Sequence, residues 1–200
     1  MKKYIVAVLL IGLFAFTRYQ QEALAIGSNL PKGDVKMKDV SGDLITLAGA
    51  KKENGLLVMF SCNTCPYVLK NRERTREICE YALANNIGVV LLNANEDYRN
   101  GADSYAAMKE FDKAENYKWY YAVDSRNEIA DAFGANRTPE CFLFSSSLKL
   151  IYHGAIDDNP ADAGNVSRRH LKEAITETIN QKDISVKQSR SVGCGIKRKG

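Results

Sequence analysis

The chain has 200 residues, of which 45% are hydrophobic and 26% charged, and a formal charge of +4. This is the composition of one soluble globular domain with short extensions, and it excludes disordered, collagen-like and polytopic membrane chains. Residues 1–25 carry three Lys or Arg and one Glu, and residues 182–200 carry six Lys or Arg and one Asp. The positive charge therefore lies at the two ends, the body is weakly acidic, and no nucleic-acid partner is expected.

The first 25 residues have the three parts of a secretory signal. Lys2 and Lys3 precede an apolar run over residues 4–16, and Ala23 and Ala25 form a small-x-small cleavage site. The run is shorter than the roughly 20 apolar residues that a transmembrane helix needs. We predict cleavage after Ala25 and a periplasmic or otherwise extracytoplasmic location. An uncleaved N-terminal anchor is the alternative, and membrane contact is expected only in that case.

From residue 29 onward, short strands alternate with amphipathic helices. The pattern predicts a hairpin at 35–37 and 44–47, then strands at 55–61, 88–95 and 120–123, helices at 65–85, 104–114 and 127–133, a second hairpin at 141–144 and 148–153, and a final helix at 166–180. This alternation predicts an α/β fold in which helices flank a mixed central sheet, with the first hairpin as an N-terminal extension. We expect one domain over 29–181, followed by a basic, solvated tail over 182–200.

Cys62 and Cys65 form a CxxC pair where a buried strand turns into a helix. Free backbone N–H groups and the helix dipole lower the pKa of a thiol in a first helical turn. We therefore predict that Cys62 attacks a partner and that Cys65, one turn further along, resolves the mixed disulfide. Pro66 suits the helix start because it has no amide hydrogen to leave unsatisfied. The pair predicts thiol–disulfide exchange.

Three other interpretations of the pair stay open. A zinc site needs a second pair of ligands, and the remaining cysteines and histidines form no second CxxC or HxxxH spacing. A non-catalytic copper carrier is chemically reasonable for exported thiolates, although no obvious His or Met completes the site. A structural disulfide would close a very short loop and stabilise weakly. No cofactor and no bound metal are expected.

Thr138 and Pro139 directly precede an apolar strand. A proline there can adopt the cis peptide bond and hold a loop with its backbone exposed opposite the CxxC pair. The alternative is a trans proline that opens an edge strand. We expect the Thr138–Pro139 backbone to align the strand of a protein partner.

Together these features resemble the thioredoxin-like superfamily. The runs CNTCPYV (62–68), RTPECFLF (137–144), GAIDDN (154–159) and GCGIK (193–197) are similar to its redoxin branch, of AhpC/TSA type and peroxiredoxin-like, which carries a CNxCPYV motif. The resemblance covers nearly all of the chain after residue 29. It implies a thioredoxin-like fold and a thiol–disulfide or peroxide-handling, antioxidant activity. Protein or small-molecule thiols and disulfides are the implied partners, together with an upstream reductant.

Several positions depart from the family pattern. Thr64 stands where members often have His, so we expect Cys62 to be less acidic and the pair to be more reducing. Arg137 stands where members often have Cys, and Leu56 where thioredoxins have a buried acid. Met59 lies three residues before Cys62, where peroxiredoxins place Thr, so their usual peroxide pocket is not expected. A thiol-dependent peroxidase is kept as an alternative function.

Three further cysteines remain outside the motif. Cys79 and Cys141 fall on apolar faces and are expected to pack in the core. Cys194 lies between two glycines in the basic tail, which we expect to be mobile. Either Cys194 is a third redox cysteine that resolves the Cys62–Cys65 pair, or it is an exposed bystander thiol.

Overall fold

The structure is a computed structural model and describes residues 22–199. The predicted signal segment lies outside the described residues, apart from its last four. Leu24 and Ile26, on either side of the predicted cleavage site, pack against the core. The Leu24 N–H donates to the carbonyl of Phe133 at 2.9 Å. Within residues 22–199, no helix has the length and apolar character needed to cross a membrane.

Strands and helices alternate along the described chain. In order they are β1 (Met37–Lys38), β2 (Leu44–Ile45), α1 (Leu47–Ala50), β3 (Gly55–Ser61), α2 (Pro66–Ala84), β4 (Ile87–Asn93), α3 (Tyr105–Glu115), β5 (Tyr120–Val123), α4 (Glu128–Phe133), β6 (Arg137–Thr138), β7 (Glu140–Phe144), β8 (Leu150–Gly154), α5 (His170–Ile179) and β9 (Cys194–Gly195). The central sheet has the order β5-β4-β3-β7-β8. Strands β3, β4 and β5 are parallel, and β7 and β8 are antiparallel to their neighbours. The predicted mixed sheet is confirmed.

The core lies on both faces of this sheet. All seven residues of β3 and all seven of β4 are buried, as expected for central strands that are covered on both sides. Met59 of β3 belongs to one cluster with Ile78 of α2. The neighbouring Phe60 faces the other side, where its ring meets Phe133 of α4 edge to face with centroids 5.6 Å apart. The sheet thus holds the end of β3 rigidly at the start of the CxxC loop.

Most predicted elements are confirmed, and the differences have local causes. The N-terminal hairpin pairs Met37 with Ile45, and β3 and β5 have the predicted limits. The short helix α1 was not expected; the Thr46 side chain caps it by accepting from the Gly49 N–H. Helix α5 begins at His170 and not at residue 166, because a 3₁₀ turn and an extended stretch precede it.

The segment around Cys194 differs from the prediction. It is not a mobile tail: β9 pairs antiparallel with β6, with Thr138 opposite Cys194. The buried Ile196 anchors the segment and its N–H donates to the carbonyl of Asn136 at 3.1 Å. A Cβ on Gly193 would lie 2.2 Å from the carbonyl oxygen of Thr138, so only glycine permits this approach. The prediction of mobility is wrong because one buried isoleucine and backbone pairing outweigh the surrounding basic charge.

Candidate active site

Cys62 and Cys65 lie in the loop that joins β3 to α2. Helix α2 begins at Pro66, one residue after the predicted start, and Cys65 is its N-cap residue. Cys62 precedes the cap by three residues, so it is not in the first helical turn. The helix N-terminus therefore favours the thiolate of Cys65 and not that of Cys62. Both side chains are buried, with 1% of Cys62 and 4% of Cys65 exposed.

Thr138 lies directly against both sulfur atoms. The Cys65 thiol donates to the Thr138 carbonyl at 3.3 Å, and the Cys62 sulfur lies 3.4 Å from the Thr138 hydroxyl. The Thr138–Pro139 peptide bond is cis, one of the two forms considered from the sequence. The four residues predicted for the site thus come together. The Thr138 backbone is not free for a partner strand, however, because β9 already pairs with it.

Cys194 is the third sulfur of the site. It packs against the cluster formed by Cys62, Cys65 and Val68. Its thiol and its backbone N–H both interact with the Cys65 sulfur. Cys194 is partly exposed, whereas the other two are buried, and all three are thiols in this structure. Cys65 therefore lies between two neighbouring thiols.

The surroundings shift the pKa values of the three thiols in different directions. Hydrogen bonding with the Cys62 thiol lowers the pKa of Cys65, and the Cys194 thiol and the Val68 and Cys194 N–H groups act in the same direction. The Thr138 carbonyl and burial oppose ionisation of Cys65, but these donors outweigh them. The pKa of Cys62 is raised, first by its hydrogen bond to Cys65 and then by burial. Burial also raises the pKa of Cys194. These contacts lower the pKa of Cys65 and raise the pKa of its two neighbours, so they favour ionisation of Cys65.

A buried carboxylate fixes the CxxC loop. Asp103 is fully buried and accepts from the Asn63 backbone N–H at 2.8 Å. It also accepts from the side-chain amides of Asn93 at 2.7 Å and Asn95 at 2.9 Å. Asn95 in turn accepts from the Lys197 N–H at 2.9 Å. This network ties the loop between the two cysteines to the segment that carries Cys194.

Nothing in the sequence pattern marks Asp103 as part of the site, because it lies about 40 residues from the motif. The only signal is the pair of asparagines at the end of β4, where side chains of a central parallel strand gather. A second support is Glu140, which accepts from the backbone N–H groups of Asn136 and Arg137 at 2.8 and 2.9 Å. His153 lies 2.8 Å from the other carboxylate oxygen of Glu140. These contacts hold the loop before Pro139.

Cys79 and Cys141 have no part in the site. Both are fully buried in the core cluster between the sheet and α2, which confirms the prediction that they pack there. Burial raises the pKa of each thiol, so neither is reactive. In the part of the chain that the structure describes, no group of three or more His, Cys, Asp or Glu side chains is placed to hold a metal ion.

Comparisons with known proteins agree with this geometry. The family model described as Redoxin matches residues 25–168. The thiol-disulfide oxidoreductase ResA of Bacillus thuringiensis subsp. konkukian is 25% identical over 154 residues, which cover 74% of this chain and 83% of ResA. The crystal structure of a hypothetical protein from Sinorhizobium meliloti has a TM-score of 0.81 at 30% identity, covering 90% of this chain and 97% of that one. An uncharacterized conserved protein from Geobacillus kaustophilus has a TM-score of 0.81 at 26% identity, covering 88% and 93%. The predicted redoxin branch and thioredoxin-like fold are confirmed.

Proposed function

Because this chain belongs to the Redoxin family and is a thiol–disulfide oxidoreductase, we propose that the Cys62–Cys65 pair is its redox centre. The pair changes between two thiols and one disulfide, while a protein or small-molecule partner undergoes the opposite change. The observation that carries the proposal is the convergence of both sulfurs on Thr138. An upstream reductant restores the two thiols.

Within the pair, the roles are the reverse of those expected from the sequence. Cys65 supplies the thiolate, because it caps α2 and because the surrounding donors lower its pKa. Cys62 is the thiol that closes the disulfide on Cys65 after giving up its proton. Its raised pKa keeps it protonated until Cys65 has formed a disulfide with another sulfur. Asp103 positions the loop between the two sulfurs through Asn63.

Reduction of insulin by dithiothreitol tests the redox centre. We expect Cys65→Ser to lose nearly all of the catalysed rate, and Cys62→Ser to stop before a Cys62–Cys65 disulfide can form. Cys79→Ala is the matched control, since it removes a buried thiol outside the site, and it is expected to retain the wild-type rate. Wild-type activity that persists in Cys65→Ser would contradict the proposal.

The same purified proteins separate the alternative functions. A copper carrier would bind copper through Cys62 and Cys65 without catalysing insulin reduction. A thiol peroxidase would consume hydrogen peroxide with dithiothreitol at a rate that exceeds its insulin activity. We expect neither result, because Met59 occupies the position of the peroxide-orienting threonine and because no group of three or more His, Cys, Asp or Glu side chains within residues 22–199 is placed to hold a metal ion.

We also propose that the chain works outside the cytoplasm, on the strength of the signal pattern in residues 1–25. Expression of the full chain followed by cell fractionation and N-terminal sequencing tests this. The expected product is a soluble extracytoplasmic protein that begins at Ile26. Recovery of the intact chain in the membrane fraction would favour the uncleaved anchor, and recovery in the cytoplasm would contradict export.

A further inference from the structure

We propose that Cys194 is a third redox-active cysteine, the sulfur that meets the partner and passes the disulfide inward to Cys65 and Cys62. This inference rests on the proposed redox role of the Cys62–Cys65 pair. It assigns the partner-facing step of the same site to a residue more than 120 positions away in the chain.

The three cysteines of the site differ in how accessible they are to a partner. Thiol–disulfide exchange requires the incoming sulfur to touch the sulfur that it attacks. Only 1% of Cys62 and 4% of Cys65 are exposed, so a folded partner cannot reach either atom while β9 stays in place. Cys194 is the member of the cluster that is partly exposed. The partner therefore meets Cys194 first.

Cys194 is held in a fixed position beside Cys65. The residue is held by pairing with Thr138, whose carbonyl and hydroxyl contact the two buried sulfurs. Gly193 approaches the Thr138 carbonyl so closely that a side chain there is excluded. On the other side, Lys197 is held by Asn95 and by a backbone hydrogen bond from Asp97 at 2.9 Å. Cys194 is thus a fixed neighbour of Cys65 and not a bystander on a loose tail.

The exchange proceeds in three balanced steps when a partner disulfide is reduced. The Cys194 thiolate attacks one sulfur of the partner disulfide, and the other partner sulfur leaves and takes up the Cys194 proton. The Cys65 thiolate then attacks Cys194, which forms the Cys65–Cys194 disulfide and releases the second partner sulfur as a thiolate that takes up a proton from water. Finally Cys62 attacks Cys65, forming the Cys62–Cys65 disulfide and returning its proton to Cys194. The partner gains the two electrons that the buried pair loses.

The acidity of Cys65 suits its central place in this sequence. A thiol of low pKa leaves a disulfide faster than one of ordinary pKa. When the oxidised protein is reduced, a partner thiolate attacks the exposed Cys194 of the Cys65–Cys194 disulfide. Cys65 is then the leaving group, and hydrogen bonding with Cys62 lowers its pKa. The same residue serves both directions of exchange.

Trapping the intermediate disulfide is the first test. The full chain with Cys62→Ser lacks the thiol that closes the final disulfide, so oxidation with glutathione disulfide is expected to leave a Cys65–Cys194 bond. Intact mass after alkylation and peptide mapping identify this bond. The double variant Cys62→Ser with Cys79→Ala is expected to behave in the same way. Free Cys194 with Cys65 linked to glutathione would overturn the inference.

The rate of pair oxidation is the second test. We expect Cys194→Ser and Cys194→Ala to slow formation of the Cys62–Cys65 disulfide by a protein disulfide at least tenfold, with the circular dichroism of the wild type. An unchanged rate would overturn the inference. A faster rate would overturn it as well, since β9 would then only cover the pair. If Cys65→Ser retains full activity, the proposed redox centre fails instead, so the two failures are distinguishable.

Discussion

Asp103→Asn tests the buried network that holds the CxxC loop. One carboxylate oxygen of Asp103 accepts from the Asn63 N–H and the Asn93 amide, and the other accepts from the Asn95 amide. An asparagine keeps its oxygen for the first two donors, but its NH₂ group then faces the NH₂ group of Asn95. The substitution keeps the shape and removes one hydrogen bond of the network.

The expected loss of stability follows from the two NH₂ groups that face each other in the variant. A hydrogen bond to a charged group contributes about 1.5–3 kcal/mol, and a buried donor left without an acceptor costs about 1–3 kcal/mol. These effects overlap, so we expect the free energy of unfolding to fall by about 2–4 kcal/mol. Because small domains are stable by about 5–15 kcal/mol, the variant is expected to fold. Removing the charge of Asp103 is also expected to lower the pKa of Cys62, because that charge contributes to raising it.

Urea unfolding of the reduced protein measures the first effect, with the slope against urea unchanged. Ultraviolet absorbance of thiolates against pH measures the second, in a background that carries both Cys65→Ser and Cys194→Ser, so that Cys62 is the remaining thiol of the site. Asp34→Asn is the matched control, because it removes an exposed carboxylate of the same size. A loss of stability below about 1 kcal/mol, no larger than that of the control, would refute the network's role.

Three further predictions concern the thiols and the segment beside them. Replacing Thr64 by His adds a cation at an exposed position beside the pair. An exposed charge pair is worth at most about 1 kcal/mol, so we expect the reduction potential of the Cys62–Cys65 pair, measured in glutathione buffers, to rise by about 20 mV. A fall in the potential would contradict the expectation. The free energy of unfolding of the reduced protein is expected to rise with pH up to the ordinary thiol pKa of about 8.5, because folding lowers the pKa of Cys65. Above that pH it is expected to decline, because folding raises the pKa of Cys62. Urea unfolding across this range checks the sign, and Cys65→Ser should lose the rising part. Gly193→Ala forces the chain away from the Thr138 carbonyl. In the Cys62→Ser background, the yield of the Cys65–Cys194 disulfide should then fall several-fold, and alkylation of Cys65 by iodoacetamide should become faster. An unchanged yield would show that Gly193 does not position Cys194.

The elements that could be predicted from the sequence are those with a continuous local pattern. Strand β3 is a wholly apolar run followed by the CxxC motif, and Pro66 marks the helix start, so the predicted limits agree with the structure to within a residue. Strands β6 and β9 have two residues each and no pattern of their own. They exist because the chain brings Thr138 and Cys194 together, which no local rule can anticipate.

The roles that we propose for the two cysteines differ from those expected from the sequence. A CxxC pair at a strand-to-helix junction gives the chemistry of the site, but the thiolate belongs to whichever sulfur stands at the helix N-terminus. The predicted helix start at residue 65 and the observed start at Pro66 both place Cys65, and not Cys62, at the helix N-terminus. Here Pro66 is the first helical residue, so Cys65 is the cap.

The location of Cys65 between two thiols has a consequence that holds for either direction of electron flow. A cysteine with two neighbouring thiols forms one disulfide with the inner neighbour and one with the outer neighbour, but never both at once. Exchange between those two bonds consumes no oxidant and moves the disulfide between a buried and a partly exposed position. The redox couple of the partner then decides which way the electrons pass, while burial of Cys62 protects the stored disulfide from unrelated thiols. With the role proposed for Cys194, the protein separates storage of the disulfide at the buried pair from its delivery at the partly exposed sulfur.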